Sequence, residues 1–289
     1  MALSERQLEF RISMAKGVTG EIDGETVTLT GYRARFSMQQ YGGASQGQAQ
    51  IAIYGLPMDL MNRLTNTVAA YSQIRVKNRV QVLASDRHGM STVFDGVIFT
   101  SCGIMHDVPD FYLSIVAFSA ADAQMNPISG TSFAGAVPVR DIMAAIANKA
   151  GMAFEDSGVT GALNTPAFSG DALSQIRSCA DAAGINFSIE QGTLAIWPRD
   201  GHRKSFIPVL SPSNGLVGYP TFSSAFVELQ SEFLPMAQLG GVVEVRDSVI
   251  APANGRWIIL QLHHELASEM PGGPWFSYIS GAGHPAELD

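Results

Sequence analysis

The chain has 289 residues, of which 18 are basic and 26 acidic, giving a formal net charge of −8; only 15% are charged and 46% are hydrophobic. That length suits two or three domains. A net acidic balance argues against a nucleic-acid-binding groove and against an anionic membrane surface, and the hydrophobic content excludes disorder as the main state. Charged residues usually make up roughly 25% of a chain, so a surface this sparsely charged is expected to be covered in part by a partner.

From Leu8 to Ala120 the dominant period is two. Leu8, Phe10, Ile12 and Met14 alternate with polar neighbours, as do Tyr32, Ala34, Phe36 and Met38 against Arg33, Arg35 and Ser37. Alternation predicts strands with one covered face. Further strands are predicted at Gln48–Tyr54, Ile74–Leu83, Thr92–Ser101 and Phe111–Phe118, separated by turn residues such as Gly42-Gly43 and Asp86-Arg87-His88-Gly89. After Pro57, the residues Leu60, Met61, Leu64 and Val68 fall at helical spacing. Several strands and one short helix predict a barrel or a tightly curled sheet.

The pattern changes after Ala120. Val139, Ile142, Met143, Ile146 and Ala147 form the apolar stripe of a helix that stops at Ala150-Gly151. A second helix is predicted from Ala172 to Ala183, with Asp171 as N-cap and Gly184 as its stop. Ala150-Gly151-Met152-Ala153-Phe154 is echoed 33 residues later by Ala183-Gly184-Ile185-Asn186-Phe187, so a helix–strand unit is used twice. Two copies are too few for a stacked array, and a hairpin, Phe187–Glu190 with Thr193–Trp197, closes the unit. Strand signals return after Ser205, at Phe226–Phe233, Val242–Val249, Trp257–Leu266 and Trp275–Ser280. The order β, α/β, β places joints near residues 120 and 205.

Cys102 and Cys179 form no CxxC pair and are expected as free thiols. The first ten residues carry Glu5 and Arg6 before any apolar run, which does not read as a signal peptide. No stretch has the eighteen apolar residues of a membrane helix.

The chemistry-bearing motifs are weak. Gly43-Ala44-Ser45-Gln46-Gly47 fits Gly-x-Ser-x-Gly, but a nucleophile elbow needs a helix to follow, and here an alternating strand does. His263 and His264 sit on one strand and point to opposite faces, so they cannot share a metal ion; His264 reads as a core or interface histidine with a hydrogen-bond partner. His88, His106, His202 and His284 stand alone near turns. Asp107 with Asp110, and Glu228 with Glu232, are carboxylate pairs of the kind glycoside hydrolysis uses, but 26 acidic residues produce such pairs by chance. Gly281-Ala282-Gly283 lacks the third glycine and the helix of a dinucleotide loop. Asn186-Phe187-Ser188 is a glycosylation sequon without an export signal, and Arg75, Lys77 and Arg79 form a short basic stripe on a solvated or interfacial face. No catalytic, cofactor or metal site emerges, and the chain reads as a part of an assembly rather than an enzyme.

The carboxy-terminal third carries the most specific strings. These are Asn214-Gly215-Leu216-Val217-Gly218-Tyr219-Pro220-Thr221, then Pro235, then Leu239-Gly240-Gly241-Val242-Val243-Glu244-Val245, then Asn254-Gly255-Arg256-Trp257 through His263-His264-Glu265-Leu266, and Pro271 to Ser277. This run resembles the second barrel of baseplate hub proteins from contractile-tailed bacteriophages. Leu8–Met14, and Gly31 through Gln46-Gly47-Gln48 to Leu56, resemble the first barrel of that family; the resemblance is weaker over 121–205.

The resemblance implies a mainly β fold, with two tube-like β-barrels (1–120 and 206–289) flanking a small α/β insert (121–205). It further implies a homotrimer whose six barrels form a pseudo-sixfold ring, adapting the hexameric tail tube to a trimeric spike. The partners expected are then the chain itself, the tail tube protein and the spike protein, with the tape measure protein and other baseplate proteins as further candidates. The protein is expected in the virion, at the tail baseplate, after assembly in the host cytoplasm. It would need no cofactor, touch no membrane and bind no nucleic acid specifically, since an acidic balance suits a channel through which DNA slides. The alternatives are a cell-wall- or carbohydrate-binding tail protein using the two helix–strand units, and a hydrolase using Ser45 or a carboxylate pair. The first is weakened because neither unit holds a Trp or Tyr, with Trp197 only at the edge.

Overall fold

In the computed structural model of the chain the described residues are 6–14, 25–42, 47–65, 78–86, 88–106, 110–125, 127–223 and 226–283. Residues before the insert form β1 (Leu8–Ser13), β2 (Thr26–Thr30), β3 (Ala34–Tyr41), β4 (Gln48–Tyr54), α1 (Met58–Leu64), β5 (Arg79–Asp86), β6 (Gly89–Ile104), β7 (Tyr112–Phe118) and α2 (Ala121–Met125). The alternation translates directly into burial. Leu8, Phe10 and Ile12 are buried, as are Phe36 and Met38, Ile51 and Ile53, and Leu113, Ile115 and Ala117. Each large side chain taken fully out of water contributes about 1.5–3 kcal/mol.

The insert contains β8 (Thr131–Ser132), β9 (Ala136–Pro138), α3 (Val139–Lys149), β10 (Ala153–Asp156), β11 (Ala162–Asn164), β12 (Ala167–Phe168), α4 (Ala172–Ala183), β13 (Ile185–Glu190) and β14 (Thr193–Pro198). Asp171 caps α4 by accepting from Ser174 N at 2.8 Å, and Gly184 ends it in the left-handed conformation. The two helices pack their apolar stripes on a three-stranded sheet, in one core with Phe187, Leu194 and Ile196. The helix–strand units are alike locally but not in pairing. β14 lies between them, parallel to β10 and antiparallel to β13, because the hairpin turn at Gln191-Gly192 folds β14 back into the centre.

The last part forms β15 (Val209–Leu210), β16 (Leu216–Ser223), β17 (Phe226–Glu232), β18 (Val242–Val245), a 3-10 turn (Ala251–Ala253), β19 (Gly255–Ser268) and β20 (Trp275–Gly283). Several expectations need adjustment. β18 stops at Val245, ahead of Asp247, which has φ 55°, rather than running to 249. β2, β16 and α2 carry no alternation strong enough to predict them. The strand expected from Ile74 is β5, which starts at Arg79; residues 74–77, and Val68 of the predicted helix, lie outside the described residues.

Among the described residues the chain is mainly β, with the small α/β insert between two β regions. Those regions are edges of one sheet, ordered β16-β17-β20-β19-β3-β4-β7-β6-β5-β1-β2, with β18 on β19 and β15 on β18. The seam is β3 against β19, antiparallel, with Phe36 opposite Leu266 and Met38 opposite His264. The core beneath the first region therefore takes in Phe233, Leu266 and Trp275 from beyond the insert, while Leu229, Leu262 and Ile279 belong to a separate core under the last part.

Candidate functional site

Paired residues of neighbouring strands point to the same side of a sheet, so the register carries one face across the seam. A central row runs Gln230, Tyr278, His263, Gln39, Gln48 and Phe118 on β17, β20, β19, β3, β4 and β7. Below it run Glu232, Phe276, Glu265, Ser37, Gln50 and Val116, and above it Glu228, Ser280, Gln261 and Tyr41. The other face is the buried one, with Leu229, Ile279, Met38, Ile51 and Ile115. The open face is built from amides, hydroxyls and partly exposed aromatic rings. On these three rows Glu228, Glu232 and Glu265 are the acidic side chains, and no lysine or arginine occurs. Basic residues of this face lie beyond that stretch: Arg79, which the central row reaches through Val97, Arg11 opposite Gln81, Arg35 opposite Ala267, and Arg33, which pairs with Asp110 at 2.6 Å and lies over the Tyr54 ring.

Local bonds hold the face in shape. His263 Nε2 lies 3.1 Å from Ser37 Oγ across the seam, Ser280 Oγ donates to Glu228 at 2.9 Å, and the Tyr278 hydroxyl donates to Glu265 at 3.4 Å. Burial pushes the His263 pKa down despite Glu265, so His263 adds no positive charge at neutral pH. Burial and the adjacent Glu265 push the Tyr278 phenol up.

On the buried side of the same strand, His264 Nδ1 lies 2.8 Å from Ser277 Oγ, edge-on to Phe233. Complete burial, aided by His263, brings its pKa down to about 3. The core histidine with a partner is what the strand parity predicts.

The other motif residues scatter. Ser45 and the first residues of its Gly-x-Ser-x-Gly string lie outside the described residues; Gly47 closes the loop by donating to Ser119 Oγ at 3.1 Å, and strand β4 follows at once. Asp107, Arg75, Lys77 and His284 also lie outside them. Arg79 is not a solvated member of a basic stripe: it bridges Asp95 at 2.7 Å and Asp122, tying β5 and β6 to α2. Glu228 and Glu232 share an exposed face, as parity predicts. Gly281-Ala282-Gly283 is the end of β20, where the glycines make room for Trp257. The Asn186 amide donates to the carbonyls of Pro198 and Arg199.

Trp197 is buried against Gly240, so the one tryptophan of the insert offers no exposed ring for stacking on a sugar. Both cysteines are free; Cys102 is exposed, and burial pushes the Cys179 thiol up to about 12. Among the described residues no three His, Cys, Asp or Glu side chains cluster in a way that could hold a metal ion. Sequence reasoning missed the partly buried group formed by Glu155, Glu190 and Arg203, because nothing in the spacing of these residues joins them.

The comparisons agree on one architecture. A profile of the baseplate hub gp41 family matches residues 15–272. No curated protein matches the chain. The tail protein from Neisseria meningitidis MC58 superposes with a TM-score of 0.62 at 9% identity, covering 96% of each chain. The 43 kDa tail protein of prophage MuSo2 from Shewanella oneidensis gives 0.59 at 11%, over 95% of this chain and 97% of its own. The E. coli c3393 protein, a type VI secretion system component described as similar to the T4 bacteriophage tail proteins gp27 and gp5, gives 0.57 at 11%, over 89% and 77%. At such identities the likeness to these structures is one of fold. The profile match spans most of the chain, which belongs to the baseplate hub gp41 family and serves as a structural component of the phage tail baseplate hub.

Proposed function

We propose that the chain forms a homotrimer whose two β regions per subunit, residues 1–120 and 206–289, supply six similar units around a central passage. A ring of this kind is threefold by chain and near sixfold by fold. It can seat a hexameric tail tube on one side and a trimeric spike on the other. The insert, 121–205, sits outside the repeated part. The tape measure protein and other baseplate proteins are further partners, assembly takes place in the host cytoplasm, and no catalysis is required.

The observation that carries the reading is the open face continuous across β3 and β19. From β17 to β7 a wall of Gln, Ser and Tyr with Glu but without Lys or Arg suits a passage for DNA. Such a wall repels or ignores phosphates, and unscreened cations would hold them.

Two experiments test this. Class averages of the purified protein with its tube protein should show a threefold ring with six peripheral densities and a central hole; isolated single particles under the same conditions count against the trimer. Phage carrying Gln39→Lys, Gln48→Lys and Gln50→Lys together should assemble complete tails but deliver DNA poorly, with a defect relieved by raised salt. Unimpaired delivery would remove this face from the passage while leaving the ring intact.

A further inference from the structure

Glu155, Glu190 and Arg203 meet where the insert touches the last part of the chain. Arg203 Nε and Nη2 each donate to one oxygen of Glu155 at 2.8 Å, a two-pronged pairing. Its Nη1 donates to Glu190 Oε2 at 3.0 Å, and its backbone N–H to the Gly240 carbonyl at 2.7 Å. The backbone N–H of Leu239 also faces Glu190. Arg203 is 4% exposed and Glu190 13%. The group borders a cavity of about 220 Å³ between all three parts of the chain, with Met38, Thr92, Gln191, Gln238 and His264 on its wall.

The charges there do not balance. One guanidinium faces two carboxylates. His264, the other titratable group on the wall, is uncharged because burial holds it near 3, and His202 turns its Nδ1 to the Arg203 carbonyl. Arg203 gives its fork to Glu155 and holds that carboxyl below the usual range. Glu190 keeps a single guanidinium N–H, and its Oε1 has no hydrogen-bond partner and no contact with solvent. An ionised oxygen so placed is far costlier than a neutral one. Oε1 is closed off from solvent, so a proton is what remains to neutralise it.

We propose that Glu190 is held as the neutral acid, protonated on Oε1, and that ionising it loosens the joint between the insert and Leu239-Gly240. The joint is then a clasp, firm while Glu190 is protonated and looser once the proton is removed.

Burial raises Glu190 above its ordinary 4.5. Between 4.5 and Glu190's own value the native chain keeps a proton that the unfolded chain has lost, so stability falls as pH rises, by up to about tenfold in the equilibrium per pH unit. Above that value the effect levels off. His263 and His264 work in the opposite sense up to their ordinary 6.5, and Glu155 acts only below 4.5. The difference between the wild type and Glu190→Gln, an uncharged isostere, isolates the Glu190 contribution.

Amide hydrogen exchange on the full chain, corrected for intrinsic rates, measures it. Peptides covering 186–205 and 234–241 should open more readily in the wild type than in Glu190→Gln as pH rises from 4.5, by up to about tenfold per unit before a plateau. In Glu155→Gln, Arg203 is left to Glu190 alone, so the rise should end at a lower pH. Identical profiles in the wild type and Glu190→Gln would overturn the proposal. Should Glu190→Gln not fold, an unmoved plateau in Glu155→Gln overturns it equally.

Discussion

The indole of Trp197, the one tryptophan of the insert, packs so closely on Gly240 that a Cβ there would lie 2.6 Å from Cε2. Gly240 also has φ +75°, and its N–H donates to the Ile259 carbonyl at 2.8 Å. Insert and β19 therefore meet through one residue that has no side chain to move aside. Gly240→Ala should destabilise the fold by about 2–4 kcal/mol, from overpacking and left-handed strain together. Urea denaturation of the two chains measures this, and a loss below half a kilocalorie would contradict the packing described.

His264 should dominate the acid limb of stability. It is neutral when folded, with its pKa down at about 3, and takes a proton near 6.5 when unfolded. The unfolded chain thus binds more protons between those values, and stability falls as pH drops through that window, by up to about 1.4 kcal/mol per unit. His264→Gln should flatten the urea midpoint between pH 6.5 and 3 relative to the wild type. An unchanged slope would place the acid sensitivity elsewhere.

Arg79 holds Asp95 and Asp122 at half-buried positions. Arg79→Met would leave two carboxylates facing each other with no cation. Partial solvent screening moderates the penalty, and about 1–2 kcal/mol is expected. Restored stability in the triple change with Asp95→Asn and Asp122→Asn would locate the loss in this bridge.

A chain cut after residue 205 should not fold as an independent first barrel. Its β3 edge would lose β19, and its core would lose Phe233, Leu266 and Trp275. Three such side chains account for several kcal/mol, and an unpaired apolar edge invites aggregation. Light scattering and circular dichroism of the 1–205 fragment check this; a soluble, cooperatively melting fragment would refute it.

Strand alternation, helix stripes and caps belong to single segments, which is why β1, β3, β4, β7, α3 and α4 were legible in the sequence to within three residues. The side of His264 on its strand was legible for the same reason, since parity along an extended chain is covalent geometry. The resemblance of two separated stretches to one family was also legible, because turn and glycine strings are local.

What only the tertiary structure decided is pairing between distant segments. Nothing in residues 34–41 announces that they will lie beside residues 261–268, because the hydrogen bonds of a sheet edge are made by backbone, which is alike in every sequence. The open polar face exists only once that seam sets Gln39 beside His263. The pairing of Arg203 with Glu155 and Glu190 likewise depends on three chain segments arriving at one place, where charge, unlike periodicity, leaves no pattern along the chain.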